Sequence, residues 1–220
     1  MTSNQSSLEA LQEIRQMMDR SSRFLSLSGW NGISAGVFAL VGSFVAYRWI
    51  GDHRATMERV EFDIHSYLHL IVNLTLLALA VLGATIAVAV YFTHRRTKLD
   101  GVKMWTPASK RMLTSLFIPI VVGGLFIAAM IYSGVWQFIA GSSLIFYGLG
   151  LISASKYTLT DMRYVGFVEI IIGLVCLFFP QHQLYFWAFG FGVVHLVYGI
   201  VMFIKYDEKP VANQQTQSKL

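Results

Sequence analysis

Four stretches of this chain carry almost no charge, and nothing else in the sequence limits its fold as strongly. Between Arg23 and Arg48 lie 24 residues without Asp, Glu, Lys or Arg, and between Asp63 and Arg95 lie 31. A third stretch runs 44 residues from Arg111 to Lys156, and a fourth covers the 41 residues 164–204 with Glu169 as its sole charge. Together they hold 140 of the 220 residues. A soluble domain has roughly a quarter of its residues charged, whereas here 13% are charged and 55% are apolar. Soluble, disordered and nucleic-acid-binding classes are thereby excluded. The composition is that of a multi-span membrane protein.

A helix needs about 20 apolar residues to cross the hydrocarbon core. The first two stretches are each long enough for one span and the last two for two each. Six spans follow, expected near Ser26–Trp49, Tyr67–Thr93, Met112–Tyr132, Val135–Ser155, Tyr164–Phe179 and Leu184–Lys205. Continuous apolar runs such as Leu76–Val90 show no in/out alternation, which rules out barrel strands. The expected fold is therefore all-α, with six transmembrane helices paired as three hairpins. Lys and Arg are concentrated in cytoplasmic loops, and sorting the loops by side puts 14 basic residues on one side and only Arg48, Arg54 and Arg59 on the other. Both termini are expected in the cytoplasm. The first 23 residues are polar and lack an apolar core, so no cleavable signal peptide is expected. Ser6 and Glu9 fit a capping box ahead of Leu8, Leu11, Ile14, Met17 and Met18. Residues 1–25 thus make a cytoplasmic amphipathic segment, 26–206 the membrane domain and 207–220 a polar tail.

Shifting the chain by 51 residues lays helix 4 on helix 6: Trp136, Phe138, Gly141, Tyr147 and Gly148 fall on Trp187, Phe189, Gly192, Tyr198 and Gly199. The same shift lays helix 3 on helix 5, so the repeated unit is a helical hairpin, 112–155 and then 164–205. Gly29 and Gly36 share the spacing of Gly166 and Gly173, which leaves room for helices 1 and 2 as a diverged third copy. The segment Gly166-Phe-Val-Glu-Ile-Ile-Ile-Gly173, followed by Pro180, Gly192 and Tyr198-Gly199-Ile200, resembles the short hairpin repeat of HdeD-like membrane proteins. The match is best over residues 164–204. The chain departs from that pattern in its long first outer loop and in having no proline at the turn between helices 3 and 4. The resemblance implies a bacterial inner-membrane protein linked to acid or envelope stress, and it brings no catalytic residues with it.

Two groups of side chains are candidates for chemistry. A hairpin folded about Gln181–His182 places Glu169 and His195 nearly equidistant from the turn, where the repeat has Ile118 and Leu144 in the other copy. Intramembrane ionisable residues pair or line a wet path. Glu169 and His195 are therefore expected to face the bundle interior and share a hydrogen bond, either as a packing device or as a proton relay. The second group is Glu61, His65, His69 and Asn73, spaced by four along one helix face, with His53 and His182 on the same side. Histidines four apart can share a metal, so Glu61, His65, His69 and His182 form a candidate zinc or copper site, set against a plain interfacial polar stripe. Axial haem ligation is rejected, because His69 and His195 differ in depth by more than about 10 Å at about 1.5 Å per residue. Ser28, Gly32 and Gly36 form a small-residue seam on helix 1, expected to let another helix approach closely within the bundle or across a dimer. The lone Cys176 leaves no disulfide.

These features predict an accessory or stress-related membrane component with no enzymatic activity and no cofactor. A small proton-coupled transporter using Glu169 and His195, and a membrane metal-binding protein using the outer histidines, are the alternatives. The expected partner is the lipid bilayer, with a second copy of the chain or another protein left open and nucleic acid excluded.

Overall fold

Glycine and proline cut the apolar sequence into helices. In the computed structural model, which describes residues 23–24, 27–57 and 64–207, six main helices follow one another and no strand occurs among the described residues. They are α1 (Gly29–Met57), α2 (Ile64–Leu99), α3 (Pro107–Tyr132), α4 (Ile139–Ala154), α5 (Met162–Phe178) and α6 (183–207). α2 ends at Gly101 and α3 at Gly134, with φ of +66° and +72°, a left-handed conformation that glycine adopts without a Cβ clash. The amides of Val102 and Val135 then reach back to the carbonyls of Thr97 and Met130 at 3.0 and 2.9 Å. α3 opens on a capping box. The Thr106 hydroxyl accepts from the Ser109 amide at 3.1 Å, the Ser109 hydroxyl accepts from the Thr106 amide at 2.8 Å, and Pro107 fills the first helical position. Pro180 closes α5 and starts the turn into α6.

Five of these segments are long and apolar enough to cross a bilayer: Gly29–His53, His65–Leu99, Pro107–Tyr132, Trp136–Tyr157 and Pro180–Lys205. α1 and α2 run past the expected ends at Trp49 and Thr93, because the polar residues there include no proline or left-handed glycine to stop a helix. α5 is shorter, with 17 residues, or about 26 Å at 1.5 Å per residue. The amphipathic segment expected before residue 23 and the tail after 207 lie outside the described residues.

Neighbouring helices run antiparallel, and glycines decide which pairs touch most closely. α4 and α5 meet backbone to backbone at two levels. A Cβ added at Gly148 would lie 2.6 Å from the Gly166 carbonyl oxygen, and one at Gly141 would lie 2.9 Å from that of Gly173. α6 and α1 repeat the arrangement: a Cβ at Gly36 would lie 2.7 Å from the Gly192 carbonyl, and one at Gly32 would lie 2.7 Å from the Gly199 Cα. The helix 1 seam thus serves packing within the chain. Gly32 and Gly36 take the close contacts, Gly29 abuts Gly199 and Phe203, and Ser28 sits buried just ahead of the helix. The expected pairing into three hairpins holds by chain order only in part. α1 packs on α2 and α3 on α4, but α5 and α6 touch each other little and pack chiefly on α4 and α1. The reason is steric. The glycine faces of α5 and α6 are each already turned toward another glycine-bearing helix, where dispersion contact is greatest.

One end of the bundle is tied by polar contacts. The Phe24 amide donates to the Tyr157 carbonyl at 2.8 Å, and the Thr158 hydroxyl donates to the Phe24 carbonyl at 2.7 Å. The Phe24 ring is buried against Ala108, Met112 and Ala154, so the segment before α1 is wedged between the start of α3 and the end of α4. Lys205 pairs with Asp161 at 2.7 Å, joining α6 to the start of α5.

Candidate functional site

Near the midpoint of α5 the chain places the carboxylate of Glu169, and two other helices supply the groups around it. Glu169 is fully buried, at 0% exposure. The His195 ring on α6 brings Nδ1 to 3.3 Å from Glu169 Oε1. The hydrogen bond of Nδ1, however, runs to the Gly190 carbonyl at 3.1 Å, and neither Glu169 oxygen has a hydrogen-bond partner among the described residues. The two residues therefore face each other as expected, while the hydrogen bond expected between them goes elsewhere. A carbonyl can only accept, so Nδ1 carries a proton. In a neutral ring Nε2 is then an acceptor, and the Tyr147 hydroxyl from α4 donates to it at 2.8 Å.

The local backbone explains the arrangement. α6 begins as an α-helix over Gln183–Trp187, widens into a π-helix over Ala188–Val194 and returns to α-helix at His195–Met202. Such widened turns are rare and concentrate at functional sites. Here the wide turn carries Gly190 and Gly192 and delivers His195. Gly190 has a second role: a Cβ there would lie 2.6 Å from Glu169 Oε2 and 2.5 Å from Leu144 Cδ2. With no Cβ at 190, the carboxylate fits against α6. Phe191 closes the site, its ring 5.1 Å from Tyr147 and 5.9 Å from His195, and Trp187 lies 5.1 Å beyond it. The result is a buried cluster of one carboxylate, one imidazole and one phenol, able to hold or move a proton.

Neither Tyr147 nor the π-helical turn is marked in the sequence as part of this site. Tyr147 was within reach, because the 51-residue shift pairs it with Tyr198, one helical turn beyond His195. The turn itself leaves no sequence signature beyond the spacing of Gly190 and Gly192. The outer histidines are placed differently. His65 and His69 are exposed on α2, and His182 is exposed at the turn before α6 beside Tyr185, with ring centroids 6.2 Å apart. His53 neighbours Tyr67 at 6.4 Å. Among the described residues no three His, Cys, Asp or Glu side chains gather as metal ligands would, and Glu61 lies outside them. Asn73 is exposed on α2, and Cys176 is buried on α5. No protein-family model, curated protein or solved structure matches this chain.

Proposed function

We propose that the chain is a six-span protein of the bacterial inner membrane, with both termini cytoplasmic, acting as an accessory, stress-related component and neither a carrier nor an enzyme. The observation that carries this reading is the complete burial of Glu169. A carrier site must be reached by its cargo, and the Glu169 carboxylate is closed in against Gly190 and His195. The antiparallel packing of α5 supports counting it as a sixth span. Its Gly166 and Gly173 meet Gly148 and Gly141 of α4 in reverse order, so α5 returns across whatever thickness α4 crosses. The cytoplasmic placement of the termini rests on the basic loops, 14 Lys and Arg against three. The stress-related role rests on the glycine and proline hairpin pattern of residues 164–204.

The test is proton movement in vesicles. Purified protein reconstituted with an imposed pH gradient is expected to show the same slow leak for wild type and Glu169→Gln. Proton or solute uptake that needs Glu169 overturns the accessory reading in favour of a proton-coupled transporter. A topology check accompanies it. In a Cys176→Ser background, Lys103→Cys is expected to be labelled from the cytoplasmic side only, and labelling from outside reverses the assignment.

A further inference from the structure

The buried node holds one feature that packing alone leaves unexplained. His195 Nδ1 has one proton and two acceptors, the Gly190 carbonyl at 3.1 Å and Glu169 Oε1 at 3.3 Å. The carboxylate, which gains most from a donor, is the one left without it. We propose that Tyr147, His195 and Glu169 form a proton-binding switch, in which uptake of one proton re-pairs the imidazole and frees the Gly190 carbonyl, changing the winding of α6. The proposal rests on the buried-node reading above and adds a ligand, the proton, and a moving part, the π-helical turn.

With the ring neutral, Tyr147 donates to Nε2, and Nδ1–H is held by Gly190. With Glu169 ionised the node carries one negative charge in a buried position, a costly state. One proton entering forms an N–H bond at Nε2. The Tyr147 oxygen then changes from donor to acceptor, its own O–H rotating away, and no covalent bond breaks. The imidazolium presents Nδ1–H to Glu169 Oε1, and the node becomes neutral as an ion pair. Gly190 loses its imidazole donor at that moment. Its partner in a regular α-helix is the Val194 amide, so the π-helical turn over Ala188–Val194 can tighten to α.

The groups facing the node from each packed element are few. α4 brings Tyr147 and the apolar Leu144, and α5 brings Glu169. α6 itself adds Tyr198, whose hydroxyl oxygen is buried. α1, on the far side of α6, brings Gly32, Gly36 and Leu40 to the contact. Among the described residues no other carboxylate, imidazole or amine is buried.

The experiment is hydrogen–deuterium exchange of the full chain in detergent or nanodiscs at uniform pH, corrected for intrinsic exchange. Amides 188–195 of wild type are expected to change protection about tenfold between about pH 8 and about pH 5, the range in which imidazole changes charge. Glu169→Gln is expected to abolish that change. Equal protection at both pH values, or an unchanged response in Glu169→Gln, overturns the proposal. Because the substituted chain can fail to fold, a second readout uses wild type alone: the ring-nitrogen resonances of 15N-histidine-labelled protein. A buried histidine that gains its second N–H over this range supports the switch, and one fixed in a single neutral tautomer overturns it. No gradient is applied in either measurement. Loss of the switch therefore leaves the accessory reading standing, and Glu169-dependent flux in vesicles overturns that reading without touching the switch.

Discussion

Gly148→Ala probes the tightest kind of contact in this bundle, and its cost can be worked from the geometry. The added Cβ would lie 2.6 Å from the Gly166 carbonyl oxygen and 3.1 Å from the Ile170 amide nitrogen. Both are backbone atoms of α5, so no side chain can rotate out of the way. Restoring ordinary contact near 3.4 Å requires the helices to part by about 0.8 Å at that level. Forced enlargement of a packed interior costs about 1–3 kcal/mol, offset by up to about 1 kcal/mol of helix propensity when glycine becomes alanine. The net expectation is a loss of about 1–2 kcal/mol. Gly124→Ala is the matched control, since a Cβ there meets nothing within 4 Å, and it should be neutral or slightly stabilising. Reversible unfolding of purified protein in mixed micelles, titrated with a denaturing detergent, reads both. The double variant Gly148→Ala/Gly166→Ala should cost less than the sum of its parts, because one widened gap admits both methyl groups. If Gly148→Ala and Gly124→Ala prove equally stable, the α4–α5 seam is not the close contact described and the reasoning fails.

Three further perturbations test other parts of the molecule. In a double-mutant cycle of Glu169→Gln and His195→Gln, the two sites should couple by about 0.5–3 kcal/mol, measured by the same unfolding titration, and additive effects would show that the 3.3 Å approach has no energetic content. Thr158→Val removes a fully buried hydroxyl that donates to the Phe24 carbonyl and should cost about 1–3 kcal/mol. Its distinctive readout is faster proteolysis near Phe24, and unchanged cleavage would mean that the Phe24 ring and its amide bond to Tyr157 suffice to hold the segment. Asp161→Asn breaks a partly exposed pair with Lys205 and should shift stability by less than about 1 kcal/mol, an effect that should disappear when wild type and variant are compared in high salt.

The succession of helices was legible, because charge-free length and Pro180 act locally, but the ends were less so, since α1 and α2 run on past Trp49 and Thr93. The Glu169–His195 approach was legible for a related reason: a hairpin turn fixes which residues share a depth. The choice of packing partner was not. Gly166 and Gly173 face α4 and not α6, and nothing in a spacing of seven says which of two glycine-bearing helices will fill the gap. Tyr147 stayed hidden for the same cause, since it reaches His195 from a different hairpin, 48 residues earlier. The π-helical turn depends on how α6 satisfies its backbone while seating His195, a balance that no single residue encodes.

The contact between α6 and α1 also sets an order of assembly. α2, α4 and α5 can pack as they leave the ribosome, each on the helix just made. The glycine face of α1 cannot, because the backbone that fills its Gly29, Gly32 and Gly36 belongs to Gly192 and Gly199, some 160 residues later. At about 5–20 residues per second, the first helix waits roughly ten to thirty seconds in the bilayer with that notched face turned to lipid or to an insertion factor. The face that completes the fold last is thus the one synthesised first, and a chain truncated before α6 would present it for as long as the fragment survives.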